Sequence, residues 1–317
     1  MASIGYFLSS EEFGPRELVR NAKFAQAAGF ERLWISDHFH PWSTVQGQSP
    51  FVWSVVGALA EATDLPVTIA VTCPTIRIHP AIVAQAAATA ALQHEGRFIL
   101  GVGTGEALNE HILGDRWPPA GVRLEMLEES VEVIRKLISG REVNHHGKYY
   151  TVENARLYSV PPEPVPIFMS AFGPRAIAMA GRIADGFICV KADAALVDKF
   201  RESGGGDKTT EASIKVCYAP TREEGVRRAH KVWPMEHLPG ELLQVLPTPR
   251  HFEQASTLVT EQMVADRVPC GPDPEPYLRH IQSFVDAGYD NVYVQQIGPD
   301  QEAFFEFWAN KVKPALG

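Results

Sequence analysis

An acid, two imidazoles and an indole fall within six consecutive residues, Asp37-His38-Phe39-His40-Pro41-Trp42. A neutral imidazole titrates close to working pH, so it can take the proton of a hydroxyl, and a carboxylate beside it can orient the ring. A second run, Gly101-Val102-Gly103-Thr104-Gly105-Glu106, joins an acid to glycines that let backbone approach a planar or phosphorylated ligand. Its spacing is Gly-x-Gly-x-Gly and it follows a fourth strand-like run, so the Gly-x-Gly-x-x-Gly fingerprint of dinucleotide folds does not fit. A glycine-rich strand end that only permits tight packing would look the same. Ser170-Ala171-Phe172-Gly173-Pro174 offers free amides at a helix start, where a phosphate can sit, and it equally reads as a plain turn. Thr72-Cys73-Pro74-Thr75 is a fourth polar strand end with no distinctive chemistry of its own.

Other chemistries lack parts. His38-x-His40 has the spacing of a metal-binding pair, but the later strand-like runs end in Ser170, Val190 and Gln295 or Gln296, so no further ligands are visible and no metal is expected. His145-His146 falls in a predicted hairpin and reads as a solvated pair. There is no Gly-x-Ser-x-Gly elbow, and Cys73, Cys189, Cys217 and Cys270 are too dispersed for a disulfide framework or a Cys-x-x-Cys site.

What positions these clusters is a regular alternation of short apolar runs and helical patterns. Strands are predicted at residues 4–8, 33–36, 67–72, 98–102, 167–170, 187–190, 214–218 and 292–295. Helical patterns follow each, such as 15–29, opened by Pro15 and closed by Gly29, and 80–93. Continuously apolar strands such as FILGV suit a parallel sheet covered by helices, and eight of them favour a closed α/β barrel, (β/α)8, as one domain over residues 1–317. Insertions are predicted after strands 2, 4 and 7: a loop at 38–50, a hairpin at 141–160 turning at Gly147, and a proline-punctuated segment at 234–272. Loops after the C-terminal strand ends build barrel active sites, so the first and third are candidate walls or lids.

With 45% hydrophobic and 21% charged residues the chain can bury a large core without staples. A net charge of −9 without long single-sign blocks disfavours nucleic acid as a partner. No stretch is apolar for long enough to span a membrane, and the start lacks a basic flank followed by an apolar run, so a small-molecule enzyme of the reducing cytoplasm is expected.

Taken together, the runs ISDHFHPW, TCPTIRIHPAIVAQA, GVGTGEALNE and ADGFIC closely resemble the F420-dependent glucose-6-phosphate dehydrogenase group of the luciferase-like oxidoreductases. The resemblance covers residues 5–189 well and fades beyond them. It implies a homodimer that uses the deazaflavin F420 to move a hydride to or from a hydroxylated substrate, a sugar 6-phosphate in the namesake activity. Residue by residue, it implies that His38 is the base, that Trp42 sits beside the reacting centre, that Glu106 protonates the deazaflavin and that Glu11 is a further pocket acid. Asp37, Thr104, Gly105 and Asn109 would meet the cofactor ring or its ribityl chain, and Phe172 and Gly173 its phosphate. A bulge with a non-prolyl cis peptide, falling at Ala70 and Val71, would support the ring.

The substrate half departs from the group's pattern. Asp193 and Ala265 stand near where lysines for the sugar phosphate would be sought, and Lys191, Arg250 and Arg267 are the basic residues in the neighbourhood. An F420-dependent alcohol dehydrogenase or reductase, an FMN-dependent monooxygenase on the same barrel, and a non-catalytic flavin-binding protein are the competing readings.

Overall fold

The computed structural model describes residues 2–316. In chain order the first half runs β1 (Ser3–Leu8), α1 (Pro15–Ala27), β2 (Leu33–Ile35), α2 (Val52–Ala60), β3 (Val67–Thr72), α3 (Pro80–Gln93), β4 (Phe98–Val102), α4 (Ala107–Glu110) and α5 (Ala120–Ile138). A hairpin of β5 (Val143–His146) and β6 (Thr151–Ala155) leads to β7 (Ile167–Ser170), α6 (Pro174–Ile183), β8 (Gly186–Cys189), α7 (Ala194–Phe200), β9 (Thr209–Val216) and α8 (Arg222–Val232). The short helices α9 (Leu242–Val245), α10 (Pro249–Ser256) and α11 (Glu261–Ala265) precede α12 (Glu275–Asp286), β10 (Asn291–Gln296) and α13 (Gln301–Phe307).

Eight strands pair in parallel in the order β1-β10-β9-β8-β7-β4-β3-β2, and β1 also pairs with β2, which closes the barrel. This is the (β/α)8 architecture that the alternation predicts, with all three insertions in place. The hairpin turns at Gly147, whose amide donates to the Tyr150 carbonyl. Among the described residues no helix is long and apolar enough to cross a membrane.

Local chemistry explains the elements. Helix α1 starts on Pro15, whose missing N–H costs nothing in the first turn, while the Glu17 carboxylate reaches back 3.1 Å to the Gly14 amide. It buries Leu18, Ala22 and Ala25 against the barrel, and Leu18 alone stabilises the fold by roughly 2 kcal/mol. The chain leaves the helix at Gly29, where φ is +83°.

The barrel interior divides into a packed floor and a polar mouth. Phe7, Trp34, Ile99, Phe168, Ile188 and Tyr293 fill the floor, with Trp34 and Tyr293 stacked at 4.4 Å. Glu211 lies among them, accepting from Trp34 Nε1 (2.7 Å), Tyr293 Oη (2.9 Å) and Asn291 Nδ2 (3.0 Å). For this reason β9 begins at Thr209, five positions before the predicted 214: its inward residues there are polar, so the strand lacks an apolar run. Ala212, Ile214 and Val216 belong to the core beneath the helices, so Glu211, Ser213 and Lys215 face inward.

Strand β3 is bulged where the resemblance places a bulge. Its register with β4 shifts between Ile69 and Thr72, and the Ala70–Val71 peptide is cis. On the neighbouring strand a Cβ at Gly101 would lie 2.0 Å from the Ile69 carbonyl oxygen, so only glycine fits that close approach.

Candidate active site

His38 follows β2 directly and stands between an acid and an amide. Its Nε2 is 3.5 Å from Glu11 Oε1, and its Nδ1 is 3.1 Å from Asn109 Nδ2 and 3.3 Å from the His40 carbonyl. Glu11 is fixed through its other oxygen, which accepts from Ser9 Oγ at 2.9 Å and Ser36 Oγ at 2.8 Å. Asn109 is fixed too, because its Oδ1 accepts the Phe39 amide at 2.9 Å and the His40 amide at 3.1 Å. The imidazole therefore has a partner in either neutral tautomer. With the proton on Nδ1, against the His40 carbonyl, the Nε2 lone pair is the one a base needs. The Trp42 ring lies 5.1 Å from the His38 ring and is held edge-on by Phe252 of α10, also at 5.1 Å.

The glycine-rich end of β4 reaches the same place through α4. Asn109 Nδ2 is 3.4 Å from Glu106 Oε2, and the Leu108 carbonyl is 3.0 Å from His40 Nδ1. Gly105 adopts φ +73°, and a Cβ there would meet Cys73 Sγ at 2.6 Å, so the turn from β4 into α4 requires glycine. The Cys73 thiol is pushed well above its ordinary value by burial and the nearby Glu110 carboxylate, which keeps it protonated and unreactive.

Asp37 is anchored from the end of β3 and the loop after it. It accepts from Thr72 Oγ1 at 2.6 Å and pairs with Arg77 Nη2 at 2.9 Å. Arg77 Nε lies 3.5 Å from Glu110 Oε1, and the Arg77 amide donates to Glu110 Oε2 at 2.8 Å. One buried guanidinium thus serves two buried carboxylates. Burial pushes Glu110 up to about 7, against the opposing pull of the Arg77 amide and charge.

Other candidates scatter. Phe172 is 39% exposed, and Gly173 caps the start of α6 in extended conformation, without a side-chain cap and with open space around it. Lys191, Arg250 and Arg267 are all exposed, and Lys191 Nζ lies 5.9 Å from the Phe172 ring. Among the described residues no hydrogen bond or ion pair joins any of the three to His38, Glu11 or Trp42. Nor do the described residues hold a group of three or more His, Cys, Asp or Glu side chains able to bind a metal ion.

Arg77 and Glu110 are residues of this cluster that the sequence reading passes over. Arg77 sits inside the recognisable run at 72–86, but its two carboxylate partners are supplied from other strand ends.

The luciferase-like monooxygenase family matches residues 2–291. An F420-dependent glucose-6-phosphate dehydrogenase of Segniliparus rotundus is 36% identical, covering 99% of this chain and 97% of that protein. One of Mycobacterium avium is also 36% identical, over 99% of this chain and 97% of that protein. Among solved structures, an F420-dependent secondary alcohol dehydrogenase in complex with an F420–acetone adduct superposes with a TM-score of 0.92 at 30% identity, covering 100% of this chain and 99% of that one. The coenzyme F420-dependent tetrahydromethanopterin reductase of Methanopyrus kandleri shares the fold, with a TM-score of 0.80 at 21% identity over 100% of this chain and 99% of that one. With a matching family over nearly its whole length, relatives aligned end to end and the bulged barrel on the page, the chain belongs to the luciferase-like monooxygenase family.

Proposed function

We propose that residues 1–317 form one luciferase-like barrel domain that acts as an F420-dependent dehydrogenase on the CH–OH group of a small substrate. The observation that carries this reading is the placement of His38 at the barrel mouth between Glu11 and Asn109, with Trp42 against it. When bound, F420 supplies a carbon that accepts a hydride, so the protein needs only to orient the alcohol and handle protons.

The residues fit such a group. The start of α6, with no side-chain cap and open space at Gly173, suits an anionic tail, and Phe172 lies beside it. Asp37, Thr104, Gly105, Asn109 and the bulge at Ala70 and Val71 would hold the ring and its polyol chain. His38 would take the hydroxyl proton on Nε2 and pass it toward Glu11, the carboxylate 3.5 Å away. Glu106, half-buried above Asn109, would deliver a proton to the ring. A fixed acid or donor of this kind is worth about 3 kcal/mol in a transition state.

The close relatives named as glucose-6-phosphate dehydrogenases favour a sugar 6-phosphate as substrate. A neutral secondary alcohol is the second reading, favoured because Lys191, Arg250 and Arg267 do not gather around His38 and because the alcohol dehydrogenase structure superposes so closely. Homodimer formation belongs to the proposal as well, supported by Phe51 and Ile82, exposed apolar side chains lining one groove beside α2 and α3. A cytoplasmic location is supported by four cysteines that are all free thiols.

The test is equilibrium titration with F420 and with FMN, followed by F420 reduction with glucose, fructose and mannose 6-phosphates, free glucose and secondary alcohols. F420 should bind more tightly than FMN and be reduced by one substrate class. Tighter FMN binding, or F420 binding without reduction by any of these, would refute the dehydrogenase reading.

A further inference from the structure

Two imidazole rings with no role assigned above lie side by side at the end of α4. His40 belongs to the loop after β2 and His111 caps the C-terminal end of α4. Both are half-buried, and their rings stack at 6.3 Å between centroids with planes 30° apart. Backbone pins each ring on one nitrogen. His40 Nδ1 lies 3.0 Å from the Leu108 carbonyl, and His111 Nδ1 lies 2.6 Å from the Ala107 carbonyl. A carbonyl oxygen only accepts, so each neutral ring carries its proton on Nδ1 and leaves Nε2 as a bare lone pair. Neither Nε2 has a hydrogen-bond or ion-pair partner among the described residues. Phe39 meets the His40 ring edge-on at 4.9 Å, which limits its rotation further.

An imidazole whose other nitrogen donates to a carbonyl is the arrangement in which histidine ligates a metal ion, because that bond fixes the ring and makes the free nitrogen a better donor. Two such rings side by side make a chelating pair. With Zn–N bonds of about 2.1 Å at a tetrahedral angle, two ligating rings have centroids about 5 Å apart, so closing from 6.3 Å takes about 1 Å of side-chain movement. We infer that His40 and His111 bind one divalent transition-metal ion, of which Zn2+ is the type, through their Nε2 atoms. Imidazole nitrogen favours such an ion over Mg2+ and Ca2+, which take oxygen ligands. The described residues hold no group of three or more His, Cys, Asp or Glu side chains around an ion site, so water completes the shell and the ion exchanges with solvent. Its place has a consequence for His38. The His40 carbonyl is 3.3 Å from His38 Nδ1, and the His40 amide donates to Asn109 Oδ1 at 3.1 Å, so an ion that draws the His40 ring acts on both groups that hold His38.

The test needs neither coenzyme nor substrate, so its outcome is separate from that of the dehydrogenase reading. Zn2+ uptake by the full chain is measured by competition with a chromophoric chelator for the wild type, His40→Ala, His111→Ala and, as a control, His146→Ala in the exposed part of the hairpin. The wild type should take up one Zn2+ per chain, and either of the first two variants should weaken that uptake by more than ~10-fold, since losing a ligand costs more than losing its outer-shell partner. His146→Ala should leave it unchanged. Long-range 1H–15N spectra of the imidazoles give a second reading that a folding defect cannot mimic. Without metal both rings should be protonated on Nδ1, and Zn2+ should shift the Nε2 signals of His40 and His111 and the Nδ1 signal of His38 in the wild type, with the His38 shift absent from His111→Ala. Equal uptake by wild type and His111→Ala, no uptake below millimolar Zn2+, or rings protonated on Nε2 would each overturn the site.

Discussion

Replacing Glu110 with glutamine should flatten the pH dependence of stability between pH 5 and pH 8. Glu110 is buried and shares Arg77 with Asp37, and burial lifts it from an ordinary value of 4.5 to about 7. The folded protein therefore binds this proton more tightly than the unfolded chain does. The stability contribution is complete below pH 4.5 and is lost as pH rises through 7. A lift of that size corresponds to about 3 kcal/mol over the whole range, most of which falls between pH 5 and pH 8. Glu110→Gln removes the titration but keeps an oxygen to accept the Arg77 amide, so any cost of the substitution itself is nearly independent of pH. Urea unfolding of both proteins at half-unit pH intervals gives the difference directly. The wild type should lose on the order of 2 kcal/mol relative to the variant across the window. Two parallel curves would show that Glu110 titrates alike in the folded and unfolded chain, and that burial does not outweigh its pairing with Arg77.

Arg77→Met should destabilise the fold by about 3 kcal/mol at pH 8, because it leaves Asp37 and Glu110 buried without their cation; a urea midpoint within error of wild type would refute this. His38→Ala should lower kcat about 100-fold with F420 affinity nearly intact, since removing a base acts on the proton transfer and not on cofactor contacts. An equal loss of cofactor binding would make His38 structural.

The barrel itself was legible in the sequence because its helix-facing residues are apolar and its strands short and bounded, as in FILGV for β4 and the 80–93 pattern that is α3. The start of β9 was not, because Glu211 and Ser213 point into a polar interior that only closure of the barrel creates. Within the site, the clusters at 37–42 and 101–106 announce themselves by residue type, and Asn109 brings them together. The Arg77 pairs join positions 40 and 33 residues apart on separate strand ends, a relation that no local pattern encodes.

Asn109 sets a limit on how this scaffold can change. In an ordinary barrel each loop after a strand can be exchanged by itself, which lets one framework host many chemistries. Here a single carboxamide caps two successive amides of the loop after β2 and also faces Glu106 and His38, so the loops after β2 and β4 share one keystone. Grafting either loop alone would leave two peptide N–H groups stranded or the amide without its seat. The two loops can be inherited, swapped or redesigned only as a pair, while the hairpin of β5 and β6 is tied elsewhere, its Tyr150 hydroxyl donating to the Thr75 carbonyl of the loop after β3.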